Sequence, residues 1–526
     1  MEHLELFVFG LLVVVALLAV LARWLRVPYP ILLVLGGSAL GFLPGVPDVE
    51  LDPDLVLLLF LPPLLYAAAF FANLHELRRN VRPIGLLAVG LVAATMVAVA
   101  ATAHAVIGLD WSVAFILGAI VAPTDVVAPS AVIRRLGVPR RIVTIVEGES
   151  LTNDATALVL YRIAVAAVVS GSFELWEAGP RFLLASAGGV AVGLAAGWLV
   201  AAVRRHFDDP PTEITIALLT GYAAYLPAEE LGFSGIVAAV TVGIYMGSRT
   251  SELTTATTRM QGTAVWEILR FILEAVLFVL IGLQLPDVLD SLDGFAAADL
   301  LAWGALVSVV VIVTRLVWVF AFTYLPGALR PRRRDQGSPA PWTHALLVAW
   351  SGVRGAVSLA AALAIPVSID AGGPFPDRDL VIFLTYCVIL GTLVLQGLTL
   401  PVLIRVLGLE DDGLDREEEL LARVVSADRA RERLEELADE DWTNDDTVER
   451  LRGMYGFRQR RFTSLRDGDG DYEGRSEAYQ RLTREAIDAQ REALLDLRDA
   501  GRITDEVMRR VERDLDLEES RLDAPA

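Results

Sequence analysis

The chain has no lysine among its 526 residues, one cysteine, Cys387, and only five histidines. A lone cysteine permits neither an intrachain disulfide nor a CxxC redox or metal site. His3, His75, His104, His206 and His344 fall at no metal-ligand spacing, and no Ser–His pairing lies within the apolar runs, which argues against an enzyme. His104, inside an apolar run, reads as a packed and hydrogen-bonded side chain. The missing lysine reads as genomic base bias, since arginine serves equally well at most loop positions. A small-residue cleavage site is also lacking. The run Leu6 to Leu25 follows Glu2 and Glu5 and has Arg23 and Arg26 at its far end, so it reads as a retained spanning helix rather than a removable signal peptide.

Apolar residues, by contrast, are abundant. They make up 54% of the chain and are blocked into long runs, with a mean hydropathy of +0.52. Residues 1–408 carry 30 acidic side chains against 24 arginines, and residues 409–526 carry 35 against 21, for net charges of −6 and −14. The chain therefore divides into a membrane body, 1–408, and an acidic soluble tail, 409–526. Nucleic acid is not an expected partner; membrane lipid is.

Read against the ~20 residues of one crossing, thirteen runs emerge: 6–25, 29–43, 54–71, 83–108, 111–134, 142–170, 180–204, 212–228, 233–247, 263–285, 299–326, 343–366 and 379–407. Arginines segregate between alternate loops. One set of loops holds seventeen, from Arg23 and Arg26 through Arg134, Arg135, Arg140 and Arg141 to Arg330 and Arg332–Arg334; the other set holds Arg181 and Arg378 alone. By the positive-inside rule the N-terminus lies outside and the tail is cytoplasmic, in a multi-pass protein of the plasma membrane.

Two runs carry helix breakers. The fifth contains Ala122-Pro123-Thr124-Asp125-Val126-Val127-Ala128-Pro129, and the twelfth contains Ser351-Gly352-Val353-Arg354-Gly355 and later Pro366. Proline removes a backbone donor and glycine loosens the helix, so both runs should break near the midplane. Seven positions apart in the order of crossings, they run in opposite directions, as the interrupted helices of an inverted-repeat transporter do. The expected fold is an all-α polytopic membrane protein. It has thirteen transmembrane helices in two inverted six-helix repeats, 1–6 and 8–13, with crossed discontinuous helices 5 and 12 and a helical cytoplasmic tail.

The sixth run carries the chemistry. Asp154 lies twelve residues beyond Ile142, or ~18 Å at the helical rise, against a hydrocarbon half-thickness of ~15 Å. Ionisable groups at such depth usually mark an ion or proton pathway. Glu149, Ser150, Asn153 and Asp154 share one helix face within an arc of ~140°, and their oxygens suit a hard cation. Thr124, Asp125 and freed carbonyls of the fifth run would join them. Glu147 falls on the opposite side and nearer the cytoplasmic end, outside the site.

Gly148–Asp154 continuing through Ala155-Thr156-Ala157-Leu158-Val159-Leu160-Tyr161 resembles the signature helix of monovalent cation:proton antiporters of the sodium/proton exchanger family. Leu61-Pro62-Pro63-Leu64-Leu65, Pro123-Thr124-Asp125 and Gly352-Val353-Arg354-Gly355-Ala356 resemble its other motifs, in the family's order and across residues 1–408. The resemblance implies a homodimer whose core domain moves against a dimerisation domain in alternating access. It implies that Asp154 takes either cation or proton, with Ser150, Glu149 and the Thr124 carbonyl as near-site ligands of a transported Na+. Asn153 and Asp125 would brace the crossed breaks. No cofactor is expected beyond the transported Na+ and H+. The activity expected is electroneutral exchange of Na+, and of Li+, for H+. Potassium or mixed-cation exchange is the alternative, and a channel or membrane sensor is a more distant one.

Two positions depart from the pattern. Ala67 stands where many relatives carry a carboxylate that pairs with the arginine of the Gly-x-Arg-Gly motif, and Val126 follows Asp125 where a proline is usual. Arg354 then needs another counter-charge, because an unpaired charge is costly in the membrane. The expected partner is Glu274, at comparable depth in the tenth run. The alternative pairs Glu274 with Arg270, its i−4 neighbour, and leaves Arg354 to Glu149 or Asp125. In the tail, Asp467-Gly468-Asp469-Gly470-Asp471 imitates a calcium loop, but Tyr472 and Ala478 occupy the sixth and twelfth positions, where an EF-hand requires glycine and glutamate. A flexible acidic loop is expected there.

Overall fold

Among the residues that the computed structural model describes, 2–25, 27–44, 53–125, 127–170, 175–329, 341–467 and 470–522, the regular elements are helical. Only an isolated bridge between Ser368 and Pro374 interrupts that pattern. The chain separates into two compact units, Met1–Glu410 and Asp411–Ala526.

The first unit comprises α1 (Glu2–Leu25), α2 (Tyr29–Gly41), α3 (Pro53–Phe70) and α4 (Val81–Ile107). There follow α5 (Trp111–Val121), α6 (Val127–Arg135), α7 (Arg140–Ser170), α8 (Leu175–Arg204), α9 (Pro210–Glu230), α10 (Gly235–Gly247), α11 (Ala256–Leu283) and α12 (Ala297–Leu329). It ends with α13 (Trp342–Trp350), α14 (Ala356–Leu363) and α15 (Arg378–Leu407). Among the described residues, six helical stretches are long and apolar enough to cross a membrane, and shorter apolar helices such as Trp111–Val121 and Gly235–Gly247 accompany them. The arginine-rich stretch 330–334 and Val126 lie outside the described residues.

The fifth and twelfth runs break where their prolines and glycines fall. Between α5 and α6 the chain leaves the helix at Ala122–Asp125, and between α13 and α14 it does so at Ser351–Gly355. Carbonyls and amides released by a break inside an apolar body must find partners within the protein. Here the two breaks satisfy each other. The Asp125 amide donates to the Val353 carbonyl at 2.7 Å. The Arg354 guanidinium donates to the Ala122 carbonyl and, at 2.8 Å, to the Pro123 carbonyl. The Arg354 amide in turn donates to Thr392 Oγ1 on α15 at 3.2 Å. Gly355 is required by this approach, because a Cβ built there would collide with the Asp125 carboxylate.

The second unit holds α16 (Leu414–Leu437), α17 (Asp445–Asp467), α18 (Gly470–Asp499) and α19 (Asp505–Leu522). Few apolar side chains are buried there, Ile487 and Leu515 among them, while Leu482 stands 71% exposed. Ion pairs between neighbouring helices supplement this thin core. Arg452 of α17 grips Glu435 of α16 through Nε and Nη2 at 2.8 and 2.7 Å, and that hydrogen bonding holds the Glu435 carboxyl below the usual range. Arg491 of α18 donates to both Asp516 and Glu519 of α19 at 2.6 Å. Of the expected acidic loop, Gly468 and Asp469 lie outside the described residues.

Gly355→Ala should destabilise the first unit by about 1–3 kcal/mol, the usual cost of forcing a methyl group into filled space. A fluorescence melting curve of the purified protein reads this; an unchanged midpoint would mean that the crossing tolerates a side chain.

Candidate cation and proton site

The site is assembled where α7 passes the crossing. Ser150 Oγ donates to the Thr124 carbonyl at 2.7 Å. One turn on, Asn153 Nδ2 donates to Thr124 Oγ1, also at 2.7 Å. Thr124, in the break itself, is thus held to α7 through both its backbone and its side chain. Asp154 comes next and is 9% exposed. Its Oδ1, like Asn153 Oδ1, is buried with no hydrogen-bond partner among the described residues.

A cavity of about 470 Å³ reaches this carboxylate, lined by Tyr29, Arg134, Glu147, Ser150, Asp154, Arg270 and Glu274 among others. A smaller one of about 50 Å³ continues past Ser150 and Asp154 to Thr124, Asp125, Gly355 and Ser358. The lining of neither includes an α7 residue beyond Asp154. A carboxylate, a hydroxyl and the residue bearing a freed backbone carbonyl therefore share the lining of the smaller cavity. Their oxygens, neutral and singly charged, suit a hard cation, and the carboxylate can take a proton instead.

Two expectations are corrected. Glu149 shares the helical arc with Asp154, yet its carboxylate faces α12, where both oxygens are taken by Arg315; the Nη2–Oε2 contact is 2.8 Å. Both side chains are 1% exposed. Arg315 also donates to the Val348 and Ala349 carbonyls near the end of α13, at 2.9 and 3.1 Å. Glu149 lines neither of the two cavities and stands in this structure as the counter-charge of Arg315, whose loss would leave a buried charge uncompensated. Arg315 was missed by sequence reasoning, although a signal existed: apart from Asp299 it is the only charge in α12.

The pairing of Arg354 with Glu274 is also overturned. Glu274 Oε1 accepts from Arg270 Nε at 2.9 Å, and its Oε2 accepts from the Tyr29 hydroxyl at 2.9 Å. Arg270 sits one helical turn before Glu274, so this pair forms without bringing distant segments together. Arg354, wholly buried, rests its charge on the carbonyls of Ala122 and Pro123 instead. Its Nε and Nη2 have no hydrogen-bond partner among the described residues. Asp154 and Glu149 lie within Coulombic reach of it.

An all-helical, apolar body with two broken helices braced against each other, and beside their crossing a buried carboxylate oxygen without a partner among the described residues, defines a membrane transporter of small cations. The chain belongs to the transmembrane sodium/hydrogen exchanger family, whose model matches residues 10–406. It is 38% identical over 535 aligned residues to an uncharacterized Na+/H+ exchanger of Mycobacterium tuberculosis, covering 99% of this chain and 97% of that one. It is 35% identical to a sodium, potassium, lithium and rubidium/H+ antiporter of Bacillus pumilus, covering 76% of this chain and 61% of that one. The fold is similar to that of the sodium proton antiporter of Methanocaldococcus jannaschii, with a TM-score of 0.61 and 21% identity over 77% of this chain and all of that one.

Glu149→Gln should cost about 3–5 kcal/mol, since it strands Arg315 in the interior. Adding Arg315→Gln should then cost little more, or restore part of the loss. Glu274→Gln and Arg354→Gln should simply add. Melting midpoints of the single and double variants read both cycles, and coupling between Glu274 and Arg354 would reinstate the discarded pairing.

Proposed function

We propose that the protein is a secondary transporter exchanging Na+, and also Li+, for H+ across the plasma membrane, by alternating access around Asp154. The observation that carries this reading is Asp154 itself: a buried carboxylate with an oxygen left unpartnered, at the inner end of a cleft that also presents Ser150 and leads to Thr124. The carboxylate binds a dehydrated cation with help from Ser150 and the Thr124 carbonyl, or it binds a proton, and it cannot do both at once. Competition for one group is what couples the two fluxes.

The arrangement also favours electroneutral exchange. Asn153 stands beside Asp154, so the pair offers one titratable group. Both oxygens of Glu149 are occupied by Arg315, and Asp125 is taken, like Glu149, as part of the brace rather than of the exchange. One Na+ for one H+ on a single carboxylate moves no net charge. Thirteen crossings in inverted repeats, an outside N-terminus, a cytoplasmic tail and a homodimer belong to the same reading. They are supported by the arginine distribution and by the two opposed, broken helices. The name of the Bacillus relative keeps broader cation selectivity in view, and the assay below separates it.

Proteoliposomes carrying an internal pH dye should alkalinise on external addition of Na+ or Li+ when loaded acidic, and respond weakly to K+ or Rb+. Equal responses to all four cations would establish the mixed-cation alternative. Asp154→Asn should abolish the signal in folded protein. Ser150→Ala should lower cation affinity about two- to tenfold, the worth of one neutral hydrogen-bonding ligand. Imposing a voltage with valinomycin at fixed gradients should leave the rate unchanged; a voltage response would overturn electroneutrality.

A further inference from the structure

Among the described residues, the two cavities that reach Asp154 touch α7 on one side of it. Glu147, seven residues before Asp154, lines the larger, and no α7 residue after Asp154 lines either. On the other side, eight residues past Asp154 and ~12 Å along the helix, α7 is tied to its neighbours by a polar cluster that the cation site does not use. Arg162 Nη1 donates to Glu229 Oε2, and Arg162 Nη2 donates to the Tyr225 hydroxyl at 2.6 Å. Glu229 and Tyr225 lie on α9. The free oxygen of Glu229, Oε1, accepts the Gly235 amide at the start of α10 at 2.7 Å. Gly235 has to be glycine for this, because a Cβ there would press on Glu229 Oε1 and on the Tyr225 ring and carbonyl.

These elements belong to different packing groups. α7 packs mainly on α4 and α5 and only lightly on α8, α10 and α13, whereas α9 and α10 pack mainly on each other, on α3 and on α8. The Arg162 cluster therefore bridges the helix that carries the cation carboxylate and a separate group of helices. We propose that Arg162, Glu229 and Tyr225 form the latch that closes the side of the transporter opposite the cleft, and that the latch must open once per cycle for Asp154 to face that side. This rests on the alternating-access reading above and names residues that would control it.

The burial of the cluster fits a contact made to be broken. The Arg162 and Glu229 side chains are 29% and 28% exposed, against 1% for both partners of the Arg315–Glu149 pair. The Arg162–Glu229 pair is thus less enclosed than the Arg315–Glu149 pair, and breaking a fully buried pair leaves an uncompensated charge. The two ion pairs on α7 thus divide the work: Glu149 with Arg315 holds the structure permanently, and Arg162 with Glu229 holds one state of it.

The lone cysteine makes the test direct. In full-length protein carrying Cys387→Ser and Leu158→Cys, position 158 lies on α7 between Asp154 and Arg162 and is buried in the latched state. Labelling of this cysteine by a membrane-impermeant methanethiosulfonate added on the side opposite the tail reports opening there. Glu229→Gln or Arg162→Gln should raise that rate roughly threefold or more, as loss of a partly exposed pair predicts. Tyr225→Phe should raise it less. The charge swap Arg162→Glu with Glu229→Arg should bring it back towards the starting rate. A rate unmoved by any of these changes, or one raised equally from both sides, would overturn the latch. If the unlabelled background protein shows no cation-driven proton flux at all while Asp154 is intact, the antiport reading fails instead.

Discussion

The structure turns on how two broken helices satisfy each other inside an apolar body. Helices cross membranes because every backbone group finds its partner within the segment, and a break surrenders that advantage. At Ala122–Asp125 and Ser351–Gly355 the released groups are matched across the crossing: amide of Asp125 to carbonyl of Val353, guanidinium of Arg354 to carbonyls of Ala122 and Pro123. Ser150 and Asn153 then attach α7 to Thr124 within the same break. The candidate site is a by-product of this repair. Remove the crossing, and Thr124 has no fixed place beside Asp154.

Charge is distributed around that crossing so that Asp154 keeps a carboxylate oxygen without a partner among the described residues, while neighbouring carboxylates are committed. Glu149 is consumed by Arg315, and Glu274 by Arg270 and Tyr29. Arg354 is neutralised by carbonyl dipoles rather than by a formal partner. A guanidinium held this way stays close to the Asp154 carboxylate without forming a hydrogen-bonded pair with it. A direct pair would occupy the carboxylate, whereas a guanidinium held on carbonyls leaves Asp154 Oδ1 without a hydrogen-bond partner among the described residues.

The helix that bears the site therefore carries three polar stations with different burial. Glu149 anchors it to α12, Asp154 faces the cleft, and Arg162 ties it to α9 and α10. Exposure orders them by how readily each can change partners, from the 1% of the anchor to the 29% of Arg162.

Much of this was legible in the residues. Long apolar runs required helices, Pro123, Gly352 and Gly355 required breaks, and the depth of Asp154 in a run with Ser150 and Asn153 marked the site. Those features depend on composition and helical period, which are local. Partner choice was not legible. Helical periodicity assigned Glu149 to the same arc as Asp154, but only the approach of α12 revealed that an arginine 166 residues away claims it. Depth along the chain matched Glu274 to Arg354, yet the tertiary structure gave Glu274 to its own helix neighbour. It seated Arg354 on carbonyls that exist as acceptors only because another helix is broken. The sequence by itself determined which charges lie in the membrane body; the fold decided which of them neutralise one another. Electrostatic pairing depends on separations of a few ångströms in a low-dielectric interior, and no periodicity along one chain encodes those distances.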